Sequence, residues 1–481
     1  MRVQIGLWLG PVLFLLVLLA PTPADMSQSA QAVAAVVVLM ATWWISEAIP
    51  IAATALVPIV LFPLLGVTSA SEVTGAYGHH LIFLFLGGFL LAATIQRWEL
   101  HRRLALHTIS LIGNSPQHIL LGFMLASAGL SMWISNTATV MMMIPIATAV
   151  AAQYTAREEG AVAAGKAGFA TALMLGIAYA ASIGGTATLI GTPPNAIFAG
   201  MVEQLYGIRI GFAQWMLFAL PFALLFLFIA WWYLSRYVYA NEPLVMVTED
   251  NSVQAELQGL RSMTREEKLV LIVFGGVALC WLLRGLLSGP LADRVEDSTI
   301  AILGALLLFI LPASGGRRLL DWQTALQIPW GVLILFGGGF ALASGFQQTG
   351  LSVWLGERLL VFDQANVFWL IVLVGVLVKF LTEITSNTAT TALLIPVMAA
   401  FAEAAGVQPV ILMVVVAMSA SLAFMLPVAT PPNAIIFATP YITIPKMVRA
   451  GVWLNLLAIP ALSLCVYFWL PLVWKLPLYL P

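Results

Sequence analysis

The chain has 481 residues, of which 61% are apolar and 9% charged, and its mean hydropathy is +1.00. A water-soluble chain of this size needs far more polar surface, so a soluble fold is excluded. The net charge of −1, with no Lys/Arg-rich run, excludes a nucleic-acid surface; Cys280 and Cys465, far apart and each in an apolar stretch, exclude a disulfide framework or a Cys-based metal site.

Apolar runs of the roughly 17 to 25 residues needed to cross a bilayer recur along the whole length. In chain order they predict eleven spans, at 4–20, 30–46, 50–66, 80–97, 167–205, 211–235, 267–287, 298–313, 330–347, 409–440 and 450–472. The fifth and tenth are interrupted by Pro-Pro and read as broken helices. Two further stretches, 117–155 and 365–402, are too long for one helix and too apolar for a loop. Each carries a polar tripeptide near its middle and predicts a re-entrant helix–turn–helix. The mixed run 97–106 predicts a helix lying in the interface. Arg2, the apolar run 5–20 and Thr22-Pro23-Ala24 imitate a cleavable signal peptide, but the charge distribution is better satisfied by a retained first helix.

The fold class that follows is an all-α polytopic membrane protein. Residues 1–29 form a first helix and external loop, 30–237 a first repeat, 238–266 a cytoplasmic linker and 267–475 a second repeat. Of the 20 Lys and Arg residues, Lys379 lies inside a membrane segment. Five others (Arg209, Arg284, Arg294, Arg358, Lys475) fall on one side and the remainder on the opposite side. The positive-inside rule then predicts a cytoplasmic N-terminus and an external C-terminus in the cell's inner (plasma) membrane.

The chain resembles itself. Leu84-Phe85-Leu86-Gly87-Gly88-Phe89 returns as Leu335-Phe336-Gly337-Gly338-Gly339-Phe340, and Ser135-Asn136-Thr137 as Ser386-Asn387-Thr388, both 251 residues later. Thr192-Pro193-Pro194-Asn195 returns as Thr430-Pro431-Pro432-Asn433, 238 residues later. Each copy holds five spans and a hairpin, and an odd number of crossings makes the repeats inverted. Inverted repeats with helices broken at mid-membrane mark secondary transporters, and the repeated residues are polar or helix-breaking rather than packing residues.

Ser-Asn-Thr at a hairpin tip supplies two hydroxyls and a carboxamide, next to unpaired N–H groups at a helix start that favour an anion. Two such tips facing each other could grip both carboxylates of one small molecule. Consecutive prolines stop a helix and free the preceding carbonyls to coordinate a cation such as Na⁺. Lys379 is the one cationic side chain near a motif, so a buried dianion calls for bound cations to offset its charge. Lys379 and Glu383 stand four apart and predict a mutual ion pair on one helix face, with a proton relay as the functional alternative.

At these residues the chain resembles the divalent anion/sodium symporter (DASS) family, which includes bacterial and animal dicarboxylate and citrate carriers. The resemblance covers nearly the whole chain from about residue 30 and rests on the paired SNT tripeptides and paired Pro-Pro-Asn loops. It implies a homodimer whose protomers each have a scaffold and a transport domain that slides as an elevator. It implies substrate ligands at Ser135, Asn136, Thr137, Thr192, Pro193, Ser386, Asn387, Thr388, Thr430 and Pro431. It implies one sodium site at Ser131, Ser135, Asn136 and the Gly191 backbone, and another at Thr382, Thr385 (backbone), Asn387 and the Ala429 backbone.

The expected function is sodium-coupled symport of C4-dicarboxylates. A sulfate or citrate carrier and a sodium-independent dicarboxylate exchanger are the alternatives within transport. An enzyme would need an activated nucleophile, acid pair or metal cluster at membrane depth, and the sequence offers none, so no catalytic residues are expected.

Overall fold

The computed structural model describes residues 2–113, 115–156, 167–238, 259–285, 294–358 and 366–480. The greater part of the expected linker 238–266 lies outside the described residues. Among those described, structure is helical throughout, with two isolated bridge contacts (Pro312 to Arg318, Val407 to Tyr479) as the only extended pairing.

The first half begins with α1 (Arg2–Leu19), α2 (Gln28–Ser46), α3 (Ile51–Thr54) and α4 (Val57–Leu64). The span expected at 50–66 is thus divided, at residues 55–56 just ahead of Pro58, which lacks the N–H needed to continue a helix. A capped turn, α5 (Ala70–Gly75), leads into α6 (His80–Arg97). Glu99 adopts a left-handed conformation (φ 53°), and α7 (Leu100–Ile112) starts beyond it. The expected interfacial helix is therefore displaced: Arg97 ends α6 and Trp98 and Glu99 form the corner.

The first hairpin is α8 (Pro116–Ser131) and α9 (Asn136–Ala156); the first broken helix is α10 (Ala167–Gly185) and α11 (Pro193–Tyr206). After α12 (Phe212–Tyr233) the second half runs α13 (Arg265–Arg284), α14 (Asp297–Ile310), α15 (Trp322–Ala325), α16 (Trp330–Thr349) and α17 (Leu351–Arg358). The second hairpin is α18 (Val367–Leu381) and α19 (Asn387–Ala404), and the second broken helix is α20 (Pro409–Ser421) and α21 (Pro431–Phe437). The chain closes with α22 (Ile444–Leu464) and α23 (Leu470–Trp474) around a π-helical turn.

Two helices occupy the centre. Every residue of α20 is buried, as is α10 from Phe169 onward, which matches their apolar character on all faces. Helices in lipid gain little from the hydrophobic effect, so close approach through small residues does the packing. A β-carbon at Gly184 would overlap the Ala128 backbone of the first hairpin, and one at Gly451 would overlap the Phe424 carbonyl. Lipid-facing surfaces carry exposed apolar side chains, among them Trp369, Leu373 and Leu377 on α18 and Leu217, Leu225 and Phe228 on α12.

Ends that the charge pattern assigns to one side do meet. Arg97 bonds Asp321 at 2.7 Å, Trp98 donates to the Leu319 carbonyl and Arg103 pairs with Glu267 at 3.0 Å. Among the residues expected on the other side, Arg209 and Arg284 share Glu296, each at 2.9 Å, and Arg358 reaches the Ala24 carbonyl.

Candidate functional site

The first hairpin tip and the first helix break are one unit. Proline at the first two helical positions starts α11 without wasting a donor, because those N–H groups would have no intrahelical partner. In the break, Asn195 donates Nδ2 to the carbonyls of Gly185, Thr186 and Thr188 at 3.1, 3.3 and 2.7 Å. Its Oδ1 is buried and accepts nothing from the protein. Thr188 Oγ1 donates to the Met132 carbonyl at 2.5 Å and so ties the break to the tip. At the tip, Ser131 Oγ donates to Asn136 Oδ1 at 2.5 Å. An added Gly185 β-carbon would sit 2.6 Å from Asn136 Oδ1 and 3.2 Å from the Gly191 carbonyl oxygen, so only glycine lets these oxygens converge.

The second half repeats the arrangement at the offsets read from the sequence. Thr382 Oγ1 donates to Asn387 Oδ1 at 2.6 Å, matching Ser131 and Asn136. Asn433 donates Nδ2 to the carbonyls of Ala423 and Leu426 at 3.2 and 3.1 Å, matching Asn195, and its Oδ1 is likewise buried without a donor. The Thr382 hydroxyl also lies 3.0 Å from the Ala420 carbonyl at the end of α20. Thr385 and Thr390 bond side chain to side chain at 2.7 Å. Both SNT tripeptides are half-buried throughout, and the Thr137 and Thr388 hydroxyls make no hydrogen bond among the described residues. These groups are thus available to a ligand.

The halves differ at Lys379 and Glu383, and here the sequence expectation needs correction. They form no ion pair with each other, because α18 stops at Leu381 and Glu383 already belongs to the tip. Lys379 Nζ instead donates to the Leu422 carbonyl and lies 4.5 Å from the Phe424 ring centroid. Glu383 accepts from three successive backbone N–H groups, Phe424 at 2.8, Met425 at 3.0 and Leu426 at 3.2 Å. Asn455 Nδ2 adds a fourth bond at 2.6 Å. The ammonium therefore caps the end of α20, and the carboxylate anchors the loop that follows. The first half lacks both groups and relies on the Thr188 hydroxyl.

Cross-packing joins the two units: α11 lies against α19 of the second hairpin, and α9 of the first hairpin against α21. Tyr179 on α10 donates to the Phe424 carbonyl at 2.8 Å and links the first half to the second break. The exposure of the units is unequal. Ile190 in the first break is 7% exposed and packs on Gly88 of α6, whereas its repeat counterpart Val428 is 74% exposed. Thr192 heads α11 without capping it, while Thr430 accepts from Asn433 N at 3.3 Å.

Thr188, Asn455 and Tyr179 were not singled out by the sequence. Thr188 sits next to a repeated motif but is replaced by Leu426 in the second copy, and Asn455 carries no motif at all. Asn195 and Asn433 were visible only as members of the Pro-Pro-Asn loops.

Similarity to known proteins extends over the whole chain. Residues 4–475 match the family described as "Sodium:sulfate symporter transmembrane region". A protein of Staphylococcus saprophyticus named "Sodium-dependent dicarboxylate transporter SdcS" is 44% identical over 473 residues, covering 97% of this chain and 91% of that protein. The protein of the same name from Staphylococcus aureus strain USA300 is 44% identical over 475 residues, covering 98% and 91%. Among solved structures, Neisseria gonorrhoeae MtrF superposes with a TM-score of 0.61 at 12% identity, covering 96% of this chain and 94% of that one. The Alcanivorax borkumensis YdaH transporter gives 0.60 at 14% identity, covering 98% and 99%, and at this identity both share the fold alone. A repeated hairpin-and-break core, apolar helices able to cross a bilayer and a match from residue 4 to residue 475 place this multi-pass membrane protein in the sodium:sulfate symporter family, the divalent anion/sodium symporters.

Proposed function

We propose that this chain is a secondary active transporter that carries C4-dicarboxylates such as succinate together with Na⁺. The observation that carries the reading is the pair of matched half-sites. Each presents a hydroxyl-to-carboxamide bond at a hairpin tip and a buried, donorless asparagine oxygen in a broken helix. Oxygens that converge where tip meets break, as Asn136 Oδ1 and the Gly191 carbonyl do beside Gly185, suit a cation, and the half-buried SNT groups suit a carboxylate. The relatives named sodium-dependent dicarboxylate transporters support both the ion and the substrate class.

Ser135, Asn136, Thr137, Thr192 and Pro193 would bind one carboxylate of the substrate, and Ser386, Asn387, Thr388, Thr430 and Pro431 the other. One Na⁺ would take oxygens from Ser131, Ser135, Asn136 and the Gly191 backbone. The second would use Thr382, the Thr385 backbone, Asn387 and the Ala429 backbone. Lys379 does not compete for the substrate, since its ammonium is spent on Leu422. Two monovalent cations then offset two carboxylates, and binding of the two species is coupled.

Access from one side at a time is supported by the unequal exposure of Ile190 and Val428. In this reading the hairpins, broken helices and α22 form a transport unit that slides as an elevator past a scaffold including α2, α6, α14 and α16, in a homodimer. The protein sits in the plasma membrane with its N-terminus in the cytoplasm and its C-terminus outside.

The test is uptake of radiolabelled succinate into proteoliposomes under inward Na⁺, K⁺ or choline gradients. The expected result is accumulation only with Na⁺, competed by fumarate and malate. Uptake indifferent to the cation refutes coupling; competition by sulfate or citrate in place of C4 acids refutes the substrate.

A further inference from the structure

A cluster outside the candidate site joins the start of α6 to the end of α11. His80 Nε2 lies 2.7 Å from Glu203 Oε2. One ligand-competent atom from each of His79, His80 and Glu203 lies within 4.8 Å of the other two. The two imidazole rings are 4.7 Å apart at 32°, and Phe340 backs His79 at 4.8 Å. Arg209 Nε holds the other Glu203 oxygen at 2.8 Å, which turns Oε2 toward the imidazoles. Beyond it, Arg209 is paired with Glu296, and Glu296 with Arg284. The Nδ1 of His80 is buried and has no protein partner. The site is reachable, since the His80 side chain is 34% exposed.

We propose that His79, His80 and Glu203 bind a divalent transition metal of the zinc class. Two imidazole nitrogens and one carboxylate oxygen form a donor set that zinc favours over the oxygen-seeking Ca²⁺ and Mg²⁺. Three protein donors leave a fourth position for water, as suits a site open to solvent. A metal takes a ring nitrogen only through its lone pair, so the His80 nitrogen facing Glu203 serves as ligand with its hydrogen carried on the unpartnered Nδ1. Arg209 stays on the second carboxylate oxygen and its charge opposes the metal, which makes the site a reversible one. The donors come from two helices, α6 packed mainly on α14 and α11 mainly on α16 and α19, so a bound ion adds a tie between them.

Calorimetric titration of the purified, chelator-stripped full-length protein with Zn²⁺ tests the site directly and does not depend on what the protein carries. The expected result is one Zn²⁺ per chain, weakened at least tenfold in His79→Ala, His80→Ala and Glu203→Gln. His107→Ala leaves it unchanged, because that imidazole bonds the Arg103 carbonyl on α7. Where a variant is unstable, the visible absorption of four-coordinate Co²⁺ bound to the wild type, and its loss in the remaining variants, gives a second readout. No metal bound by the wild type, or unchanged affinity in all three variants, overturns the proposal.

Discussion

Replacing Glu383 with glutamine isolates the main asymmetry between the half-sites. The carboxylate accepts four hydrogen bonds at 2.6 to 3.2 Å, three of them from consecutive backbone amides of the second break. Glutamine keeps one acceptor oxygen and turns an NH₂ group toward the remaining N–H donors. At least two charge-assisted bonds are lost, each worth about 1.5–3 kcal/mol, while removal of a buried charge returns part of that. A net loss of roughly 3 kcal/mol in the ordering of residues 422–430 is the outcome. Ala429 and Thr430 lie on that loop, so the half-saturating Na⁺ concentration for succinate uptake should rise steeply. The ceiling is roughly 100-fold, at about 1.4 kcal/mol per factor of ten. The assay is the Na⁺-activation curve of proteoliposome uptake, normalised to folded protein, with the thermal midpoint measured in parallel. Adding Lys379→Met should recover part of the loss, because the single variant leaves the buried ammonium on the Leu422 carbonyl with no negative charge to balance it and the double variant does not. Wild-type Na⁺ activation in Glu383→Gln would mean that these four bonds do not order the loop that carries Ala429 and Thr430.

Asn136→Ala and Asn387→Ala should each abolish uptake while leaving the thermal midpoint within a few degrees of wild type; normal uptake by either would overturn the site assignment. Gly185→Ala puts a methyl group 2.6 Å from Asn136 Oδ1, so uptake should fall at least tenfold in a protein that still folds, and full activity would show that the tip and break need not approach so closely. Zn²⁺ should slow uptake by wild type and not by His80→Ala; zinc bound without slowing would count against relative motion of α6 and α11.

How much of this could be read from the sequence follows from what each feature depends on. The span expected at 80–97 is α6 residue for residue, because its ends are set locally, by the corner at Glu99 and by the cap at His79. The hairpins and broken helices were legible for a related reason: Pro-Pro and Ser-Asn-Thr interrupt long apolar runs, and both recur. Lys379 and Glu383 were misread because a spacing of four implies one helix face only while the helix continues, and α18 ends between them. Their partners Leu422, Phe424 and Asn455 are brought in by tertiary packing that no local pattern announces. The same holds for His80 and Glu203, which lie 123 positions apart and show no metal-binding spacing.

In the proposed mechanism a dianion is held by uncharged groups and becomes bindable only when cations are bound beside it. Calorimetric titration of the purified protein with succinate, in saturating Na⁺ and in choline, measures this directly. Tight binding in Na⁺ and none detectable in choline, with succinate raising Na⁺ affinity by the reciprocal factor, is the predicted result. Equal succinate affinity in the two salts would contradict it.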